Sequence, residues 1–268
     1  MITDYIDLAV VAIWLFWMFF FGLVYYLQRE GMREGYPLET HEPGTYKEHG
    51  FIWMPEPKTF LMPHGGTRTS PPANGADTRP VNGVPVDGFD GSPIEPNGGN
   101  LMLSGVGPAA WAEREDVPDR GLHGELKIAP MRALPGFEIV KGDIDPRGLP
   151  VVGADGVEGG TVKDVWIDAG ESLIRYLEIE TPGGVVIAPF TLADVNPITM
   201  NGFNPFGIFG DTKGDAFVEI NCVNGAQIAE APKTASPDQI TMLEEEKVSA
   251  YFGSGYLYAN ADSREPLF

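Results

Sequence analysis

Residues 8–27 read LAVVAIWLFWMFFFGLVYYL, a run of 20 uncharged and mostly apolar residues. At a rise of about 1.5 Å per residue, a helix of that length crosses a hydrocarbon layer of about 30 Å. No other stretch of the 268 residues comes near it, so the sequence predicts one N-terminal span tied to a large polar domain. A cleaved signal peptide would carry a basic leader, a shorter apolar run and a small-residue cleavage site. Here the leader is MITDYID, with two acids and no base, and Tyr25-Tyr26-Leu27-Gln28 offers no such site. The span therefore reads as a retained anchor. Every Lys and Arg lies beyond Gln28, beginning with Arg29 and Arg33. The positive-inside rule then places the N-terminus outside and the domain in the cytoplasm. Tyr5 at one end and Tyr25 and Tyr26 at the other suit the two aromatic belts. Trp14 and Trp17 fall near mid-depth, facing either lipid or a protein or cofactor partner.

Beyond the anchor the chain is acidic. The formal net charge is −20, and residues 1–28 supply only Asp4 and Asp7, leaving −18 on the rest. Such a surface repels phosphate backbones, which argues against nucleic-acid binding. The single cysteine, Cys222, excludes an internal disulfide and fits a reducing compartment. With Ile220 and Val223 as neighbours it reads as a structural residue at a strand or its end. The 34 Gly and 24 Pro predict many turns and short strands rather than long helices.

Residues 29–62 read as irregular, because Pro37, Pro43, Pro55 and Pro57 interrupt any helix. The aromatics Tyr36, Tyr46, Phe51, Trp53 and Phe60 suggest that this stretch lies along a surface. Residues 63–108 hold 18 Pro plus Gly in 46 positions and are expected to form an extended loop or linker without regular elements. From residue 122 short strands are expected at 137–141, 162–168, 173–180, 185–188 and 217–223. Thr181-Pro182-Gly183-Gly184 joins two of them as a hairpin turn. Such strands with Gly/Pro turns point to a small closed or nearly closed barrel. One soluble helix follows. Ser236-Pro237-Asp238-Gln239 has the form of a capping box. Ile240, Leu243, Lys247 and Tyr251 share a face, Glu244 to Glu246 read as solvated, and Gly253 and Gly255 as the stop.

No familiar catalytic constellation is present: no Walker loop, G-x-S-x-G, H-E-x-x-H or C-x-x-C. His41, His49, His64 and His123 are separated by 8, 15 and 59 residues, which is not ligand spacing on a helix. The span contains no His, so the anchor is no haem or chlorophyll ligand. What remains is a set of carboxylates, Asp164, Asp168, Glu171, Glu178 and Glu180, with Arg175 among them. They are either solvated turn residues of an acidic protein or a proton relay, since buried carboxylates carry protons when their pKa values rise.

Taken in order, the segments YYLQRE (25–30), MREGYPLE (32–39), PKTFLMPHGG (57–66), GVGPAAWAER (105–114), KIAPMR (127–132), DPRGLPVVGADG (145–156), DVWID (164–168), RYLEIE (175–180) and LEEEKVSAYFGSGYLYA (243–259) resemble the H subunit of the purple-bacterial photosynthetic reaction centre. The likeness is least in residues 67–104. It implies a single transmembrane α-helix plus a mainly-β cytoplasmic domain, containing a small antiparallel PRC-type β-barrel and one C-terminal helix. The organisation it implies is a periplasmic N-terminus and span at 1–28, a membrane-surface segment at 29–121 and the barrel domain with its helix at 122–268.

The resemblance further implies a non-enzymatic subunit of the bacterial inner (intracytoplasmic, chromatophore) membrane. It would cap the cytoplasmic face of the L and M subunits, support assembly and conduct protons to the secondary quinone. Bacteriochlorophyll, bacteriopheophytin, quinones and non-haem iron would be held by other subunits, with none bound principally by this chain. Light-harvesting 1 polypeptides, a cytochrome subunit and membrane lipids are further implied partners. Glu171 aligns with the family's proton-transfer glutamate, Asp168 with a neighbouring acid and Arg175 with a nearby arginine. His123 aligns with the histidine where protons enter, and Lys127 with a lysine beside it. Glu125 and Gly121 stand where some members carry a second histidine and an aspartate, so proton uptake there survives better than transition-metal binding. Two other readings are a membrane-anchored PRC-barrel adaptor of a non-photosynthetic assembly and a membrane-tethered, carboxylate-only hydrolase.

Overall fold

The computed structural model describes residues 7–36, 53–62, 65–71, 80–89, 91–197 and 216–263. Tyr5, His41, His49, His64, Tyr46 and Phe51, which figure in the sequence reading, lie outside these residues. The chain divides into two compact units, residues 1–80 and 81–268.

In the first unit, α1 (Leu8–Gly31) begins at Asp7, whose carboxylate accepts the Ala9 N–H at 2.9 Å. The helix runs past the apolar stretch to take in Arg29 and Glu30, and none of its residues is buried within the unit. Trp17 packs on Phe16, Phe20 and Phe21 with ring centroids 5.6–5.7 Å apart. A helix apolar on every side suits a hydrocarbon environment, and this is the one described helix long and apolar enough to cross a membrane. Beyond it, β1 (Lys58–Leu61) and β2 (Thr67–Ser70) form an antiparallel hairpin. Arg33 ties the hairpin to the helix end, donating to the carbonyls of Glu56 and Ser70, both at 2.8 Å, and to Glu30.

In the second unit, β3 (Gly83–Pro85) and β4 (Ile94–Pro96) make another small hairpin. The expectation of no regular elements in residues 29–108 beyond the anchor is thus corrected. Turns need Gly and Pro, but the short runs between them pair locally through their backbones.

The core is one sheet. It is built from β5 (Ile128–Pro130), β6 (Pro150–Gly153), β7 (Glu158–Asp168), β8 (Leu173–Thr181), β9 (Gly184–Pro189), β10 (Asp194–Pro197) and β11 (Ala216–Ile220). The order is β10-β11-β6-β7-β8-β9, with β5 added to β7. All pairings are antiparallel except β11 with β6, which is parallel. A 3-10 turn at Phe190–Leu192 carries the chain from one edge strand, β9, to the other, β10. Among the described residues no ladder joins those two strands, so the barrel architecture has an open seam rather than full closure. The turn expected at 181–184 joins β8 to β9, and the Thr181 hydroxyl donates to the Gly184 carbonyl at 2.7 Å.

Two expectations about elements need correction. Residues 137–141 form no strand. Phe137 and Ile139 do pack on the core, but the Phe137 N–H turns back to Leu134 O at 3.3 Å and the segment pairs with no strand. The soluble helix also starts and stops later than the sequence suggested. After the short α2 (Gly225–Ile228), α3 runs Met242–Tyr258. Its capping box is Thr241 with Glu244, not Ser236 with Gln239: Thr241 Oγ1 accepts the Glu244 N–H at 3.1 Å and Glu244 Oε2 accepts the Thr241 N–H at 2.9 Å. The Pro237 carbonyl, which a helix begun at Ser236 would use, instead accepts from Arg132 at 2.6 Å.

Nor do Gly253 and Gly255 end the helix. Gly255 is there because the helix lies against the turn after β11: a Cβ at this position would stand 2.2 Å from the Cys222 carbonyl oxygen. Val248, Tyr251 and Phe252 close the core from this side, over β9. Burial of each contributes about 1.5–3 kcal/mol. Cys222 is buried and free in that turn, and burial pushes its thiol up to about 11.

Candidate functional site

The β7–β8 hairpin supplies the site. Pairing runs Thr161↔Glu180 and Val162↔Ile179, shifts by one residue for Asp164↔Glu178, Val165↔Leu177 and Trp166↔Tyr176, and returns for Ile167↔Ile174 and Asp168↔Leu173. The two residues left unpaired by these bulges are Lys163 on β7 and Arg175 on β8. Bulges re-aim side chains, and each of these cations meets a buried carboxylate.

At the turn end, Asp168 is 0 % exposed. Its Oδ1 accepts the N–H groups of Gly170 and Glu171 at 3.0 and 3.1 Å, an Asx-type turn. Its Oδ2 accepts from Arg175 Nε and Nη2 at 3.2 and 3.1 Å. The same Nη2 donates to Glu171 Oε2 at 3.0 Å, and the Glu171 side chain is 52 % exposed. One guanidinium thus joins a sealed carboxylate to a solvated one. β5 lies beside this end of β7, with Ile128 opposite Asp168, and the Lys127 carbonyl accepts the Ala169 N–H at 2.9 Å. Lys127 is therefore fixed next to the turn, its ammonium 3.4 Å from Asp119.

A cleft of about 310 Å³ opens here, between the hairpin, the 114–128 segment and α3. Lys127, Asp168 and Arg175 line it, as the sequence reading grouped them, together with Asp119, Tyr176 and Glu245. His123 and Glu125 are not on its wall. They sit exposed on the tight loop bridged by Arg120↔Leu126, where Glu125 Oε2 accepts the His123 N–H at 3.0 Å. The Glu125 carboxylate fills the space that a side chain at Gly121 would occupy, 2.1 Å from its Cβ position. Among the described residues, no group of three or more His, Cys, Asp or Glu side chains is gathered around a metal position.

The glutamate run of α3 is not a solvated face. Glu244 caps the helix, Glu246 pairs with Arg114, and Glu245 enters the cleft, where its Oε2 accepts the Tyr176 hydroxyl at 2.7 Å. Burial is the largest influence on Glu245 and pushes its carboxyl above the usual range. The Tyr176 hydrogen bond and the charges of Arg175 and Lys127 pull the other way, and Asp119 reinforces the rise. Burial likewise raises Tyr176 far above the ordinary phenol. Helical spacing carried a signal for Glu245: it stands three residues before Val248 and seven before Phe252, on the buried stripe.

The remaining acids separate from this cleft. Asp164 and Glu178 face each other across the ladder, 4 % and 2 % exposed. Arg132 bridges them, 3.1 Å from Asp164 Oδ2 and 2.6 Å from Glu178 Oε2, and reaches Asp238 at 3.0 Å. Lys163 at 2.9 Å and Trp166 Nε1 at 3.0 Å complete the Glu178 carboxylate. Burial acts to raise Glu178, but the hydrogen bonds from Arg132, Lys163 and Trp166 outweigh it and leave the carboxyl below its usual value. Glu180 is exposed and takes no part.

Comparison with known families gives two matches. Residues 1–133 match the photosynthetic reaction centre H-chain N-terminal region, and residues 140–200 match the PRC-barrel domain. The first match spans α1 and extends through Lys127 and Arg132; the second spans β6 to β10 with Asp168, Glu171 and Arg175. Two families found together in this order on one chain, the apolar helix in one and the cleft-bearing sheet in the other, make this chain an H subunit of the photosynthetic reaction centre, a membrane-associated protein that assembles with the other reaction-centre subunits.

Proposed function

We propose that this subunit covers the cytoplasmic face of L and M and conducts protons toward the secondary quinone. In this reading it is an accessory subunit without catalytic chemistry of its own. The pigments, quinones and non-haem iron belong to its partners, and light-harvesting 1 polypeptides, a cytochrome subunit and lipids surround the assembly in the bacterial inner membrane. The N-terminus faces the periplasm, on the strength of Arg29 and Arg33 immediately following the apolar run. A quinone reduced twice takes up two protons, and a protein covering its site must supply them through ionisable side chains and water.

The observation that carries the reading is the pairing of exposed Glu171 with sealed Asp168 through the single Arg175 guanidinium. The guanidinium only donates, so a proton arriving at Glu171 does not pass through Arg175; Arg175 holds Glu171 beside Asp168, and water carries the proton from one carboxylate to the other. His123, Glu125 and Lys127 are the groups by which protons reach it from solvent, and the net charge of −20 raises the local proton concentration.

The test is Glu171→Gln in the assembled complex, followed by flash spectroscopy. The second electron transfer to the quinone slows by about a hundredfold or more, the low side of what a positioned proton carrier contributes. Primary charge separation is unchanged. Second-electron kinetics equal to wild type would remove Glu171 from the path.

A further inference from the structure

Three carboxylates lining the cleft, Asp119, Glu245 and Glu246, have no part in the route just described, and of these Glu245 is the one in no ion pair among the described residues. Glu245 reaches in from α3, and the groups facing it come from every wall. Asp119 and Lys127 stand on the segment before β5, Asp168 on β7, Arg175 and Tyr176 on β8, and Arg114 and Glu246 at the cleft's margin. Each cation there already has a carboxylate partner. Arg114 holds Glu246, Lys127 lies 3.4 Å from Asp119, and Arg175 serves Asp168 and Glu171. The partner of Glu245 is instead a neutral phenol, at 2.7 Å. That phenol is fixed: Tyr176 is buried and sits opposite Trp166 in the ladder, so its hydroxyl cannot leave the cleft without disturbing the sheet. A carboxyl bonded to a phenol changes protonation without breaking an ion pair. The cleft, at about 310 Å³, has room for several waters to bring or remove the proton.

We propose that Glu245 is a further proton-exchanging residue of this cleft, and that the Tyr176 hydroxyl is the positioning group that holds its carboxyl there. The proposal rests on the proton-conduction reading and adds a second branch to it, from α3 rather than from the hairpin turn. Burial supplies the physical means: Glu245 takes up a proton at a higher pH than an ordinary carboxyl, so it is available as a store when the quinone demands one.

The experiment is an infrared pH titration of the detergent-solubilised complex. Wild type is expected to show a protonated-carboxyl carbonyl band that titrates above the ordinary carboxylate range and is lost in Glu245→Gln. Tyr176→Phe removes one hydroxyl that favours the ionised form, so the midpoint of that band rises by about one pH unit. A spectrum unchanged by Glu245→Gln, or a midpoint indifferent to Tyr176→Phe, overturns the proposal. Second-electron kinetics of Glu171→Gln, measured on parallel preparations, keep the two ideas apart. Normal kinetics with the Glu245 band present refute conduction through the hairpin turn and leave the titrating carboxyl standing. Slowed kinetics with no Glu245 band refute the assignment of Glu245 alone.

Discussion

Replacing Arg132 with Met keeps the apolar stem of the side chain and removes its charge. Asp164 and Glu178 then face each other, nearly sealed, with only Lys163 and Trp166 left on Glu178, and with backbone N–H groups and the more distant charge of Arg147 left on Asp164. Breaking a buried ion pair from one side costs about 3–5 kcal/mol. The Arg132 side chain is 36 % exposed, and part of the network survives, so the low end applies, about 3 kcal/mol. For a unit of this size that lowers Tm by about 6–12 °C. The pH dependence follows from Glu178, whose folded pKa lies below the ordinary 4.5. Its bonds stabilise the folded chain above the unfolded value, and that stabilisation is lost as pH falls through the lower folded value. The gap between wild type and Arg132→Met is therefore widest near neutrality and narrows below about pH 4.5. Thermal unfolding of the full chain in detergent, followed by near-ultraviolet circular dichroism from pH 3 to 8, measures it. A loss under about 1 kcal/mol, or a gap that does not change with pH, would show that solvent screens the network as it does a surface ion pair.

Two further outcomes follow from the packing of α3. Gly255→Ala places a methyl against the Cys222 carbonyl and destabilises the chain by about 2 kcal/mol or more, whereas Gly253→Ala meets nothing within 4 Å and stabilises by about 0.5–1 kcal/mol; chemical denaturation of the pair reads both. Cys222, buried and with its thiol pushed up to about 11, stays unlabelled by a maleimide at neutral pH until the domain unfolds, so rapid labelling of the native chain would contradict the burial.

The anchor was legible because length and apolarity are enough for it. The β7, β8 and β9 runs were legible because each is long and bounded by turn residues. The short strands β1 to β4 were not, because three or four residues between glycines and prolines carry no periodicity, and only the partner strand reveals them. The helix boundaries misled for a tertiary reason. Arg132 takes the carbonyl that would have begun the helix at Ser236, and the backbone at Cys222 needs Gly255 inside a helix that sequence rules would end there. At the site, Asp168, Glu171 and Arg175 come together because they lie within one hairpin turn. Arg132 stands 46 residues from Glu178, and Tyr176 stands 69 from Glu245. Pairing across such distances has no local signature, and Glu245, read from the sequence as solvated, belongs to the buried stripe with Val248 and Phe252.

The two bulges of the β7–β8 hairpin cancel. One extra residue on each strand leaves both ends of the ladder in the same phase, with a three-pair stretch between them displaced by one. Removing Lys163 or Arg175 alone would throw one end out of step and turn its inward residues outward. Removing both would restore a continuous ladder, with the same length of pairing and neither cation. The hairpin therefore contains two separable specifications: a plain scaffold that either sequence could fold into, and a matched pair of insertions that places charge inside it. Paired deletion yields a barrel that lacks these two cations and keeps the Arg132 network, a reference state against which what Lys163 and Arg175 contribute to the assembled complex can be weighed.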